Sequence, residues 1–244
     1  MHWDLDRLRS LTRNFPWFRT ANADVHGPRF DGFALFNYTP LNVARGNNDL
    51  QYINSLIIEF KKNDPAALTA VAAVAKPALE QLIWSGLWKG QEIPLPSTHE
   101  GEKWSLTADW FVRDLIVIPG HTAGVGKPAT NDLASNLEKV LFDYLDPDHP
   151  FYYPSKFVLD RHTAQTPSHI EKKSVEDHLR TISLRTIKLG AVAEKTGGAI
   201  DFGRYMLLDD VYTRGATFGA CKQLLVEQNP SSDVMGFFVA VTAY

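Results

Sequence analysis

The sequence has little of several things that define whole classes of protein. Its 244 residues include a single cysteine, Cys221, which excludes an internal disulfide and a four-cysteine zinc module. No run approaches the roughly 20 apolar residues that a membrane-spanning helix needs. The formal net charge is only −3, which gives no support to a broad nucleic-acid-binding surface. We find no internal repeat and no low-complexity tract.

What is present is an ordinary globular composition, with 44% hydrophobic and 22% charged residues. Acids and arginines interleave from Asp4 to Arg13, unlike the order of charge and apolar residues in a secretory signal peptide. Together with the lone cysteine, this pattern predicts a cytoplasmic protein.

The chain changes character along its length. Residues 1–47 are rich in aromatic residues, Asn and Arg, and we predict an N-terminal helical or irregular extension packed on the core. Residues 48–244 are predicted as the main domain. Within it we expect N-terminal helices in about 48–110 and the core in about 111–244.

The first half of the main domain is predicted to contain helices followed by a strand. Apolar residues recur at helical spacing over 49–62, and an alanine-rich stretch over 66–83 predicts a second helix. The apolar run Leu115–Ile118 predicts a strand that ends at a Pro-Gly turn. A glycine-rich loop over 120–127 then leads to a helix predicted at about 131–144.

The second half contains a long segment without clear periodicity, residues 145–173, which predicts a functional loop. Ser174 and Asp177 resemble a capping box and predict a helix at about 175–188. The remaining predicted elements are a strand at 205–208, a helix at 217–227 and a strand at 234–242. Strands alternating with helices predict an α/β fold, a parallel sheet with helices on both faces.

The most informative segment is Tyr205–Thr217, where an apolar run, two acids and a Thr-x-Gly-x-Thr turn precede a helix. Asp209 and Asp210 can meet sugar hydroxyls or a metal at the end of the strand. The loop can point backbone N–H groups at a phosphate, with the positive helix N-terminus behind it. The alternative is a strand-to-helix turn with capping threonines, which leaves two acids at a buried strand end without compensation.

This segment resembles the phosphoribosyl pyrophosphate (PRPP) signature of type I phosphoribosyltransferases. The resemblance implies a phosphoribosyltransferase-like fold in which Asp209 and Asp210 are catalytic residues whose carboxylates contact the ribose hydroxyls. It also implies Mg²⁺ at the same two residues, bound directly or indirectly. The 5′-phosphate would be wrapped by Thr213, Arg214, Gly215, Ala216 and Thr217.

Two upstream segments extend the resemblance. The strand from Leu115 is similar to the first strand of that fold, and it implies a short pyrophosphate loop at Ile118, Pro119, Gly120 and His121. Arg161, the Thr166–His169 run and the helix after it are similar to the ComF branch of the family. There Arg161 is the preferred candidate for a cation that offsets the charge developing on pyrophosphate.

The chain also departs from the family pattern. His169 replaces the glutamine that ends the run in the ComF branch, and Arg214 and Tyr212 replace a threonine and an aliphatic residue of the signature. The Arg-Gly-x-Asn-Gln segment after the first strand is absent, as is the zinc module. The resemblance is therefore specific only near residues 205–217.

Other charged residues have ordinary interpretations that involve no role in the predicted site. The histidines His162, His169 and His178 match no compact metal motif, and surface or capping roles are favoured for them. Three lysines lie in the segment that forms a mobile hood over the site in this fold, but solvated loop charge is an equal interpretation: Lys156, Lys172 and Lys173.

The resemblance implies a glycosyltransferase that moves phosphoribosyl from PRPP to a nitrogen base and releases pyrophosphate. The alternative is a catalytically silent module that senses a phosphoribosyl nucleotide or binds a partner, in DNA uptake, regulation or bacterial defence such as retrons. A small phosphoribosyl ligand is expected in both cases. Dimers are common in the family, so a homodimer or a protein partner is compatible with the resemblance.

Overall fold

A computed structural model gives the architecture. The residues it describes are 2–12, 17–19, 30–39, 43–84, 87–88, 91–92, 112–124, 127–143, 155–166, 172–188, 204–230 and 232–242. The helices are α1 (Leu5–Thr12), α2 (Asn48–Lys61), α3 (Pro65–Trp84), α4 (Pro128–Asp143), α5 (Val175–Leu179) and α6 (Ala216–Gln228). The strands are β1 (Trp17–Arg19), β2 (Phe30–Tyr38), β3 (Leu87–Trp88), β4 (Gln91–Glu92), β5 (Val112–Val117), β6 (Ser155–Arg161), β7 (Ile182–Lys188), β8 (Arg204–Tyr212) and β9 (Asp233–Thr242).

The central sheet is mostly parallel, in the order β1-β2-β9-β8-β5. Strands β2, β9, β8 and β5 run parallel to their neighbours, and only β1 is antiparallel. The register places Leu208 of β8 between Val117 of β5 and Phe237 of β9. The predicted α/β fold with a parallel sheet is therefore confirmed at this level.

The strands are buried on both faces, which explains why they appear in the sequence as nearly continuous apolar runs. Met206 and Leu208 of β8 pack into a cluster with buried residues of α2, α3 and α4. Tyr205 and Leu207 point the other way, into a second cluster that includes Phe218 and other residues of α6. Two apolar layers thus fix the position of β8 and of the two acids within it. The strand is longer than the predicted 205–208, since it continues past Asp209 and Asp210 to Tyr212 and pairs with β9 over that length.

The N-terminal part of the chain contributes more to the core than the sequence predicts. Residues 1–47 are predicted as an extension, but β2 within them lies inside the central sheet and pairs with β9. The buried residues Trp3 and Leu8 also join the core cluster on the α2–α4 side. Residues 93–111, which belong to the predicted region of N-terminal helices, lie outside the described residues.

The predicted helix at 175–188 is wrong beyond its first turns. The capping box forms as predicted, because Ser174 and Asp177 bond reciprocally, but α5 contains only five residues. Apolar Ile182 and Leu184 then alternate with exposed Ser183 and Arg185, which is the period of a strand rather than a helix. The segment from 182 is accordingly β7.

The predicted long loop at 145–173 also contains a strand. Residues 155–161 form β6, which pairs antiparallel with β7 from Ser155 opposite Lys188 to Arg161 opposite Ile182. The rest of that loop is described only at 162–166 and 172–173. None of the described helices combines the length and the apolar character needed to cross a bilayer.

The burial of β8 on both faces can be tested by a substitution that leaves a cavity. Leu207→Ala removes a side chain that is fully buried between β8 and α6, and we expect a loss of about 2–5 kcal/mol in the free energy of unfolding. Chemical denaturation measures this loss. The control is Val43→Ala, at a side chain that is 65% exposed, which should change stability by less than about 0.5 kcal/mol. Equal effects would contradict the packing.

Candidate functional site

The predicted site residues gather where β5 ends beside the C-terminal half of β8. Neighbouring parallel strands end at the same edge of a sheet, and crevices at such edges are common ligand sites in α/β folds. The backbone N–H of Ile118 donates to the carbonyl of Leu208 at 2.9 Å, so the two strand ends are locked together. This bond places Pro119 and Gly120 beside Asp209 and Asp210.

The two acids are buried, with exposed fractions of 8% for Asp209 and 6% for Asp210. Their partner is Lys127, whose Nζ lies 2.6 Å from Oδ1 of Asp209 and 2.6 Å from Oδ1 of Asp210. The same Oδ1 atoms accept backbone hydrogen bonds, from Asp210 N at 2.8 Å and from Val211 N at 2.7 Å. The ammonium and the backbone together compensate carboxylates that would otherwise be costly to bury.

Lys127 is the residue that the sequence analysis missed. It comes directly before α4, whose first residue is Pro128, at the end of the glycine-rich loop. Its stem passes over Gly120, where an added Cβ would lie 3.4 Å from Cγ of Lys127. A lysine closing a glycine-rich loop at a helix start is a recognisable feature, but its acidic partners lie more than 80 positions later in the chain.

A second lysine lies on the outer side of the acids. Nζ of Lys61, at the end of α2, is 3.6 Å from Oδ2 of Asp210, and its side chain is half exposed. Two cations therefore face two carboxylates, which makes the cluster close to neutral.

The charges shift one another's pKa values in opposite directions. Burial raises the pKa of Asp209 above its ordinary value, although Lys127 opposes the rise. Burial acts on Asp210 in the same sense, but Lys127 and Lys61 outweigh it and hold the pKa of that carboxyl below its ordinary value. Burial likewise disfavours the charged form of Lys127, yet the two carboxylates raise its pKa. Lys127 is therefore a permanent cation here.

Magnesium does not fit directly on this pair as it stands. Carboxylate oxygens are the ligands that Mg²⁺ prefers. However, the two Oδ1 atoms of Asp209 and Asp210 already hold the Lys127 ammonium at 2.6 Å. Within the described ranges, no group of three or more His, Cys, Asp or Glu residues is arranged to hold a metal. We therefore derive no chemical step through a metal on the pair.

The predicted phosphate loop lies at the start of α6. Thr213 and Arg214 are exposed, and Gly215 is the N-cap of the helix with φ +76°, which favours glycine. Gly215 has no side chain to cap the helix, and among the described residues no side chain accepts from the first N–H groups of α6. An added Cβ at Gly215 would lie 2.2 Å from Oη of Tyr212, so that the tyrosine supports the loop from below.

Arg161 is placed beneath the site rather than facing it. It is 2% exposed, and its Nε donates to the carbonyl of Gly120 at 2.5 Å. Its other nitrogens contact Thr181 Oγ1 at 2.5 Å, Gln165 Oε1 at 2.9 Å and His178 Nδ1 at 3.2 Å. Arg161 therefore positions the predicted pyrophosphate loop through Gly120, and its guanidinium is used in contacts beneath that loop.

His178 connects Arg161 to the phosphate loop. Because an arginine side chain only donates, Nδ1 of His178 must accept from it, and the ring proton lies on Nε2. Nε2 then donates to Oγ1 of Thr217 at 3.2 Å. The hydroxyl of Thr217 accepts this bond and keeps its own proton to donate. The chain of contacts from Gly120 to Thr217 thus joins the two predicted ligand loops.

The interpretation of His178 as a surface or capping residue is wrong, since the ring is buried beneath the loop. Burial and the nearby Arg161 lower the pKa of His178 to about 4. His162 is exposed, as predicted.

The remaining predicted residues are more peripheral or are not described. His121 is exposed, and its carbonyl accepts a hydrogen bond from Gln165 N at 2.8 Å. Lys172 is exposed and distinct from the acid cluster. His169 and the run before it lie outside the described residues, apart from Thr166, as does the side chain of Lys156.

A scan of the chain against protein-family models finds no match, and a search against curated proteins finds none either.

The role of Gly215 can be tested against a glycine with similar backbone strain. Gly215→Ala adds both a left-handed φ penalty and a contact with Tyr212, whereas Gly46→Ala, at φ +85° in open space, adds only the penalty. We expect Gly215→Ala to cost about 1–3 kcal/mol more than Gly46→Ala in thermal or chemical unfolding. Similar losses for the two variants would contradict the support of the loop by Tyr212.

His178 should make the protein less stable in mild acid. Its folded pKa of about 4 lies below its ordinary value of 6.5, so the unfolded chain binds more protons between these values. Stability from this group is therefore complete above pH 6.5 and is lost as pH falls through 4. Between pH 7 and 4.5, His178→Gln should lose roughly 1–3 kcal/mol less stability than the wild-type protein.

The control for this prediction is His162→Gln, which alters an exposed histidine with no buried partner among the described residues. Its stability should follow the wild-type pH profile. Identical profiles for His178→Gln and wild type would show that His178 does not titrate as its burial requires.

Proposed function

We propose that the protein binds PRPP or a related phosphoribosyl nucleotide at the shared edge of β5 and β8, and transfers phosphoribosyl to a nitrogen base. One observation carries this proposal: a buried acid pair on β8 is followed, after Val211 and Tyr212, by an exposed loop at the start of a helix whose N-cap is a glycine. Such an arrangement offers hydroxyl-binding carboxylates and a phosphate cradle within one short segment of the chain. A phosphoribosyltransferase-like fold is part of the proposal, and the parallel sheet supports it.

The phosphate cradle has several matching donors. The first N–H groups of α6 face the loop, and the helix dipole favours an anion there. Exposed Arg214 adds a cation that is free of partners in the described part of the chain. The proton that Thr217 retains, because its oxygen accepts from His178, provides a further donor.

The carboxylates are suited to a vicinal diol. In the proposed complex, Asp209 and Asp210 accept hydrogen bonds from two ribose hydroxyls, which are charge-assisted and roughly twice as strong as neutral ones. The backbone bonds from Asp210 N and Val211 N hold both carboxylates in place before any ligand arrives. This preorganisation reduces the entropy lost on binding.

The leaving group would lie against the loop at Pro119, Gly120 and His121. Arg161 holds this loop through the carbonyl of Gly120, and Lys127 crosses above it. As the bond to the ribose carbon weakens, negative charge grows on the leaving oxygen, where a nearby cation stabilises the transition state. Positioning and electrostatics would supply most of the rate.

A ligand-sensing module without turnover is the second candidate. The observation that favours it is the burial of Arg161, the predicted catalytic cation, whose guanidinium is already occupied by hydrogen bonds to Gly120, Gln165, Thr181 and His178. We also propose a cytoplasmic location, which the single buried cysteine, Cys221, supports.

Ligand binding can be tested by removing the charges of the acid pair. Asp209→Asn combined with Asp210→Asn should weaken PRPP binding at least about 100-fold, because two charge-assisted hydrogen bonds are lost. Isothermal titration calorimetry measures the affinity, and circular dichroism checks the fold. Asp132→Asn, at an exposed acid on α4, is the matched control and should bind as wild type does. Unchanged affinity in a folded double variant would refute the proposal.

Turnover separates the two candidates. The wild-type protein is incubated with PRPP, Mg²⁺ and a panel of purine and pyrimidine bases, and released pyrophosphate is measured. Base-dependent release supports transfer. Binding of PRPP without release would favour the sensing module.

A further inference from the structure

The inner oxygens of the acid pair, Oδ1 of Asp209 and Oδ1 of Asp210, are engaged before any ligand binds. Each Oδ1 atom accepts one bond from the Lys127 ammonium and one from a backbone N–H. On the outer side, Lys61 lies 3.6 Å from Oδ2 of Asp210. A sugar diol or a metal ion can reach the inner oxygens only by displacing the ammonium of Lys127.

The path of the Lys127 side chain offers the ammonium a second position. An added Cβ at Gly120 would lie 3.4 Å from Cγ and 3.7 Å from Cε of Lys127, so the stem runs directly over this loop. Lysine carries its charge on a flexible four-carbon stem. The side chain is also partly exposed at 30%, unlike the acids it contacts. Rotation of its outer bonds would move Nζ from the acids to the space above Gly120.

We propose that Lys127 is the resident counterion of the acid pair and the specificity-determining residue of the site. In the ligand-free protein it excludes divalent cations from Asp209 and Asp210. A ligand can bind the two carboxylates only if it also places an anionic group above Gly120. The ammonium of Lys127 then moves to that group. This selects a sugar 5-phosphate with a second phosphorylated position over a plain pentose 5-phosphate; the ligand part rests on the proposed function, whereas the exclusion of cations does not.

The exclusion of cations is tested without any sugar ligand, by Mn²⁺ binding measured with electron paramagnetic resonance. Wild-type protein should show no Mn²⁺ site on the pair tighter than about 1 mM. Lys127→Met should gain a site at least about tenfold tighter, which disappears when Asp209→Asn and Asp210→Asn are added. Lys127→Arg keeps the positive charge and should behave as wild type does.

The matched control is Lys172→Met, which removes an exposed lysine away from the acids and should leave Mn²⁺ binding unchanged. Lys127→Gln serves as a second variant if the methionine variant fails to fold. Mn²⁺ binding to the wild-type acids as tight as in the Lys127 variants would overturn the proposal. Failure of folded Lys127 variants to gain the site would overturn it as well.

The selection of ligands is tested by calorimetry with PRPP and ribose 5-phosphate. Lys127→Met should weaken PRPP binding and leave or strengthen ribose 5-phosphate binding, so that the affinity ratio falls at least about tenfold. An unchanged ratio would overturn the specificity role. If neither ligand binds the wild-type protein, the proposed function fails, and the Mn²⁺ results still decide whether Lys127 is the counterion.

Discussion

The contact of Lys127 with two buried carboxylates is the interaction on which the site depends. Two acids side by side at a strand end repel each other and lose hydration, so an uncompensated pair would be strongly destabilising. The ammonium, 2.6 Å from each, makes the arrangement tenable. It also ties the start of α4 to the C-terminal half of β8. The ion pair that balances the charge of the site therefore also holds a helix against the sheet.

Beneath this cluster lies a second set of polar contacts, in which the charged side chain of Arg161 meets only uncharged groups. Arg161 is buried among a carbonyl, an amide, a hydroxyl and an imidazole, and these contacts reach from Gly120 to His178. His178 extends them to Thr217. Such a buried network is rigid only when every member is satisfied. The two predicted ligand loops, from strands far apart in the chain, are therefore held at a fixed separation by side chains buried beneath them.

Much of this could be predicted from the sequence, and the failures have physical reasons. The apolar run ending in Asp209 and Asp210 indicates a doubly buried strand, because both faces of a parallel strand are covered. The capping box at Ser174 identifies where a helix starts but not how long it is. The alternation of apolar and polar residues from Ile182 onward is the signal that the helix has ended and a strand has begun. Lys127 was missed because local pattern does not report a contact made across more than 80 positions. His178 was missed because burial by tertiary packing leaves no periodic trace.

The position of β2 has a consequence for how the chain folds. Gly32 of β2 faces Gly236 of β9, roughly 200 residues later in the sequence. Pairing of such distant segments slows folding, since a long loop must close before the contact is gained. During synthesis, β2 emerges early and has only the three-residue strand β1 as a sheet partner until β9 has left the ribosome. Through that interval the edge of β2 that later pairs with β9 is open, and an unpaired strand edge with apolar side chains is prone to aggregation.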